Sequence, residues 1–184
     1  MSKVRVFVLF TCVLWAPASV FSWDPPFFTG DPARLRSEAL RLASKDSDLT
    51  VLFEETRYSF DAQGRRTYRY RTVFIPRTAE LAEAWGEVSA SFAPWHQSRP
   101  LIRARVISPD LKVHTLDLKT IAEEPAAADG DRIYSDRRVL RGPLPGITAG
   151  AVVEQEIEVA DNQAFFEGGS VYRHRAYSGF PVLD

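Results

Sequence analysis

The chain has 184 residues, of which 45% are apolar and 26% charged, with a formal net charge of −1. That length supports one domain with a sizeable core, and that composition excludes a disordered polymer. The balanced charge gives no basic field for nucleic acid.

The first residues, MSKVRVFVLFTCVLWAPASVFS, read as an export signal over positions 1–22. Lys3 and Arg5 supply the positive start, Val6 to Trp15 the apolar core, and Ala16-Pro17-Ala18 or Ser22 the small residues at which it would be cleaved. The apolar run is shorter than the roughly 20 residues of a spanning helix. The competing reading is an uncleaved N-terminal anchor. Lipid attachment at Cys12 fits less well, because apolar sequence continues past it and few residues precede it. Export implies a periplasmic or extracellular protein with no stable membrane span once the signal is gone. Cys12 is the single cysteine, so the mature chain would hold no disulfide, thiol nucleophile or thiolate ligand. Removing Lys3 and Arg5 leaves 21 basic against 24 acidic residues, a net charge of −3.

Residues 23–48 form a lead-in and one helix. WDPPFFTGDP is rich in proline and glycine, and Asp31 then caps a helix predicted over 32–45, with Pro32 at its first position. Leu35, Ala39, Leu40 and Leu42 give that helix an apolar stripe.

Residues 49–184 read as a β domain. Leu49–Phe60 and Arg65–Pro76 flank the turn DAQG. Pairing Phe60 with Arg65 sets Val51, Phe53 and Glu55 opposite Phe74, Thr72 and Tyr70, and sets Glu54 opposite Arg71 on the other face. TAELAEAW suggests one short helical turn. GEVSASFAPW follows as a strand, then Pro100–Asp110 and Lys112–Leu118 around a tight turn at Pro109-Asp110-Leu111. Glu123–Asp131 is rich in breakers and reads as a loop. Ile133–Leu140, the stretch ending at Val159, and Gly169–Phe180 complete eight strands. The pattern predicts a mainly β fold, an antiparallel β-sandwich with one N-terminal helix. Strand character up to Asp184 suggests that the chain stops inside a larger protein.

Little in this pattern points to chemistry. RRTYRYR resembles a nucleic-acid stacking stripe, but a strand turns Tyr68 and Tyr70 to one side and Arg69 and Arg71 to the other, as amphipathicity alone requires. Glu154, Glu156 and Glu158 share a strand face about 7 Å apart. They could form an acid–base pair or a calcium site, but no companion ligand motif accompanies them, and a solvated face is the expectation. His96, His114 and His174 lack zinc spacing and are expected as surface or half-buried strand residues. Trp85 and Trp95 are expected in the core rather than on a sugar- or peptide-binding platform. No catalytic, cofactor-binding or metal-ligating residue is assigned.

ARVISPDLKVHTLDL, IYSDRRVL and LPGITAGAVVEQEIEV together resemble the domain of unknown function numbered 3857. The resemblance implies a module preceding a transglutaminase-like, papain-fold domain in exported bacterial proteins. Tyr134, Asp136, Pro145, Gly146 and Gly150 match its Tyr-Ser-Asp stretch and its Leu-Pro-Gly corner, as fold-specifying rather than catalytic positions. Pro145 and Gly146 would turn the chain, and Gly150 would allow a backbone angle closed to other residues. Leu111 stands where the family carries glycine, so Asp110 is expected to take the positive angle. The Cys-His-Asp set of the catalytic module has no counterpart here. The resulting expectation is an exported, non-enzymatic accessory module. Its partner would be a transglutaminase-like domain or an envelope peptide or glycan, with no cofactor. A small hydrolase using a histidine and carboxylates, or a purely structural envelope protein, are the alternatives.

Overall fold

LTVLFEETRYSF and RTYRYRTVFIP form the hairpin around which the rest of the chain is laid, β1 (Leu49–Phe60) and β2 (Arg66–Pro76). The structure is a computed structural model that describes residues 26–43, 47–126 and 136–167. The export signal, Tyr134, His174 and the strand expected at 169–180 lie outside the described residues.

The hairpin register differs from the simple pairing by one residue over most of its length. Phe60 opposes Arg66, Glu55 opposes Arg71 and Phe53 opposes Val73. The turn is one residue longer than DAQG. Asp61 accepts from the Arg65 amide through its side chain, its own N–H donates to the Arg65 carbonyl, and Gly64 takes a φ of 75°. A bulge between Val51 and Phe53 then absorbs the extra residue, so Val51 meets Phe74 as the simple pairing requires. The bulge puts Leu52 and Phe53 together on the outer face while Val51 stays in the core.

The remaining elements are α1 (Pro32–Leu42), α2 (Ala79–Ala84), β3 (Glu87–Phe92), β4 (Leu101–Ile107), β5 (Val113–Thr115), β6 (Ala122–Pro125), β7 (Arg138–Pro143) and β8 (Val152–Ala160). Two antiparallel sheets face each other, β1-β2-β8-β4-β5 and β3-β7-β6. Val88, Ala90, Phe92 and Leu140 of the small sheet pack on Phe74, Val106, Val153 and Val159 of the large one. In β3 the burial alternates strictly, with Glu87, Ser89 and Ser91 pointing to solvent. Against the outer face of the large sheet lies α1. Its Leu35 and Ala39, with Phe27 from the lead-in, cover Leu52, Val73, Ile75, Ile107 and Val152. Asp31 accepts from the Arg34 amide at 2.8 Å as N-cap, and the helix stops at Leu42 because Ala43 is extended. Leu40, counted in the apolar stripe, is exposed.

Two segments correct the chain-order reading. The loop expected at 123–131 begins as a strand, because Ala122–Pro125 pairs with Arg138–Arg141 as β6. Residues 136 and 137 lie outside any strand, and β7 runs on to Pro143 before the corner. There Gly146 has φ 67°, and a Cβ would stand 2.9 Å from the His114 ring. Gly150 has φ 78°, and its amide donates to the Pro76 carbonyl. Pro145 is half-buried and Asp136 exposed. Among the described residues no helix is long and apolar enough to cross a membrane.

The β4–β5 turn also departs from expectation. Leu111, not Asp110, takes the left-handed angle, with φ 67°. The bond from its amide to the Ser108 carbonyl, 2.9 Å, and that from Ser108 N–H to Lys112 O, 3.0 Å, demand this geometry whatever residue occupies the position. A left-handed leucine costs about 1–2 kcal/mol, and glycine's extra unfolded-state freedom returns about 0.5–1 of that. Since Leu111 is itself exposed, Leu111→Gly is expected to raise stability by about 0.5–1 kcal/mol. Urea unfolding with an unchanged m-value checks this, and a loss of stability would contradict it.

Candidate functional site

The alternation VVEQEIEV puts Glu154, Glu156 and Glu158 on the outer face of β8, and β8 is the central strand of the large sheet. Every cross-strand neighbour on that face therefore comes from β2 or β4. Arg71 and Arg103 flank Glu156, Arg105 stands beside Glu154, and Arg69 stands beside Glu158. One row runs Glu55, Arg71, Glu156, Arg103 across four strands with alternating charge. Arg71 Nε donates to Glu156 at 2.9 Å and Arg103 Nε donates to its other oxygen at 3.0 Å. Arg69 donates twice to Glu158, at 3.1 and 3.0 Å.

This face is not the solvated one that the alternation suggested. Glu154 is 0% exposed and Arg105 7%, because the lead-in and α1 lie across them. Arg105 Nε donates to Glu154 Oε2, the Phe28 amide donates to Oε1 at 3.3 Å, and Arg105 Nη1 donates to the Gly30 carbonyl at 3.2 Å. The ring of Phe27 lies 4.5 Å beneath the Arg71 guanidinium and that of Phe28 lies 4.8 Å from Arg103. Phe28 takes a φ of 63°, which turns its amide toward the carboxylate. The ladder thus clips Pro26–Gly30 onto the sheet. Burial opposes ionisation of Glu156, but the bonds and attraction from Arg103 and Arg71 outweigh it and hold the carboxyl below its usual range.

Toward the β4 edge the covered face opens into a groove of about 490 Å³. Arg69, Arg71, Arg99 and Arg103 line it with Glu156 and Glu158, and Pro100, Leu101, Ile102, Leu118 and Ile121 supply its apolar wall. The sequence reading missed this groove, since its lining comes from four separate stretches of chain.

The described histidines are kept apart. His96 is buried in a turn rather than on a strand, its ring against Trp95 and Phe165. Burial pushes its imidazole below the usual value against the pull of Asp161. His114 is half-buried in β5 beside Gly146. Among the described residues no group of three His, Cys, Asp or Glu is gathered to hold a metal ion. Trp85 packs on Phe74 in the core, whereas Trp95 is 49% exposed within its cluster with Phe165.

Two outcomes are expected. Glu154→Ala strands Arg105 in a buried site and should cost about 3–5 kcal/mol, against about 0–1 for Glu158→Ala at a half-exposed pair, as chemical denaturation would show. Because the folded-state value of Glu156 lies below its ordinary 4.5, its contribution is complete above that pH and is lost as pH falls through the folded value. In Glu156→Gln the acid-side slope of stability against pH should be shallower, and an unchanged slope would refute the assignment.

Among solved structures, a Parabacteroides distasonis protein described as a "putative protease" shares the fold, with a TM-score of 0.58 and 15% identity. The match covers 65% of this chain and 24% of that one, so the chain spans about a quarter of its neighbour's length. No curated protein matches the chain. The profile of DUF3857, a domain of unknown function with a solved structure, matches residues 62–184, from the β1–β2 turn onward. The chain belongs to the DUF3857 family.

Proposed function

We propose that this chain is a non-catalytic β module of an exported protein, which positions a partner rather than transforming a substrate. The observation that carries the reading is the state of the outer-face carboxylates. Glu154, Glu156 and Glu158 are each held by an arginine and serve as structural anions. The only cysteine, Cys12, falls in the segment read as the export signal, so attack by a thiol would have no group to use. The neighbour's much greater length fits a module that works beside other domains. A transglutaminase-like domain, or a peptide or glycan of the cell envelope, is the partner class that this reading favours.

Two measurements test it. Residues 1–22 fused to alkaline phosphatase should carry that reporter out of the cytoplasm, and cytoplasmic retention would contradict export. The purified chain carrying Cys12→Ser should neither hydrolyse nor cross-link a casein or peptide substrate. Turnover surviving that substitution would overturn the non-catalytic reading and favour a histidine-based hydrolase.

A further inference from the structure

We infer that the edge of β4 away from β8 at Leu101–Arg103, which no strand pairs among the described residues, is a docking site for an extended peptide segment that sets a carboxylate opposite Arg103. The inference deepens the partner-positioning reading and rests on it only for the partner being a polypeptide. β8 pairs with β4 along its whole length, Leu101–Ile107, but β5 pairs only with Arg105–Ile107. Leu116 N–H still reaches Ala104 O, at 3.0 Å, and the chain then turns away through the single 3-10 turn Leu118–Thr120. Backbone groups alternate sides along a strand, so the N–H and C=O of Ile102 point the same way as those of Ala104, past the end of β5. Among the described residues no strand pairs with β4 at Leu101–Arg103 on that side.

The side chains around this edge specify what would fit. The alternating row Glu55, Arg71, Glu156, Arg103 ends on a cation at the edge, with the Arg103 side chain 60% exposed despite its bond to Glu156. An added strand extends that row by one place, and the residue continuing the alternation is acidic. The next row ends on Leu101, which is 66% exposed, and Leu118 across the groove is 65% exposed. Four guanidiniums and two carboxylates line the groove, an excess of positive charge in a protein of net charge −1. Addition of a strand supplies main-chain hydrogen bonds, and the flanking side chains supply selectivity. Arginines also serve simply to guard an edge against association, and that use predicts no preference for a peptide charge.

The probe is a fluorescein-labelled heptapeptide of valine and threonine with a central glutamate, compared with the same peptide carrying lysine. Fluorescence anisotropy should show the glutamate peptide binding at least about five-fold tighter, with a preference that shrinks as salt rises. On saturation, hydrogen exchange of the Ile102 amide should slow. Arg103→Glu should reverse the charge preference, and Leu118→Asp, at an exposed position, should weaken both peptides while circular dichroism stays unchanged. Equal binding of the two peptides, no binding of either, or unaltered exchange at Ile102 would overturn the assignment. Self-association through this edge without peptide would overturn it in favour of a second copy. Catalysis by the chain would sink the non-catalytic reading and leave these binding readouts standing.

Discussion

The burial of Glu154 against Arg105 constrains the architecture more than any other contact. An ion pair withdrawn from water is tolerable only when its lone pairs and protons find partners, because desolvating both charges costs several kcal/mol each. Here the lead-in supplies two of them, the Phe28 amide to Glu154 and the Gly30 carbonyl to Arg105 Nη1, while Arg105 Nη2 finds none among the described residues. The pair therefore dictates where residues 26–30 must lie, and α1, which begins two residues later at Pro32, inherits that placement. Hydrophobic contact of Leu35 and Ala39 with Ile75, Ile107 and Val152 holds the helix down, but apolar contact is not directional. The charged pair supplies the direction.

The central strand β8 joins the two halves of this design. Its inner residues Val153 and Val159 belong to the inter-sheet core, and Val152 belongs to the cluster under α1. Between them lie its glutamates, and β2 and β4 provide their cations in register: Arg105 of β4 for Glu154, Arg71 and Arg103 from both sides for Glu156, and Arg69 of β2 for Glu158. Arginine suits this position better than lysine, since its planar fork satisfies two bonds at once, as Arg69 does on Glu158. The same planarity lets Phe27 and Phe28 lie against Arg71 and Arg103, so apolar cover and charge occupy one layer. A sheet face can thus be sealed at the helix end and graded toward solvent at the other, where the groove opens. That gradient is what makes the β4 edge chemically distinct from an ordinary exposed strand.

Membership of the DUF3857 family agrees with the residues that carried the resemblance, and the corner at Pro145–Gly150 explains one of them physically. Gly146 must be small because the His114 ring fills the space where a side chain would begin. Leu111 shows the converse: hydrogen bonds of the hairpin hold the left-handed geometry even though the residue there resists it. A turn's backbone conformation belongs to the strands it joins as much as to its own residues.

Period-two patterning, proline and glycine punctuation and a capped helix start marked most of the described elements from the sequence alone. The first hairpin, α1, α2 and the mainly β class were legible because they depend on neighbours within a few residues. The register of that hairpin was not, since a bulge at Leu52 cannot be told from regular strand by alternation. Strand β6 was hidden for a related reason: AEEP has no apolar alternation, and it is a strand only because Arg138–Arg141 stands beside it. The glutamates of β8 mark the limit most clearly. Alternation put them on one face, but whether that face met water depended on where α1 and the lead-in came to rest. That is a long-range matter, decided by the Phe28–Glu154 and Arg105–Gly30 contacts between segments 126 and 75 residues apart in the chain.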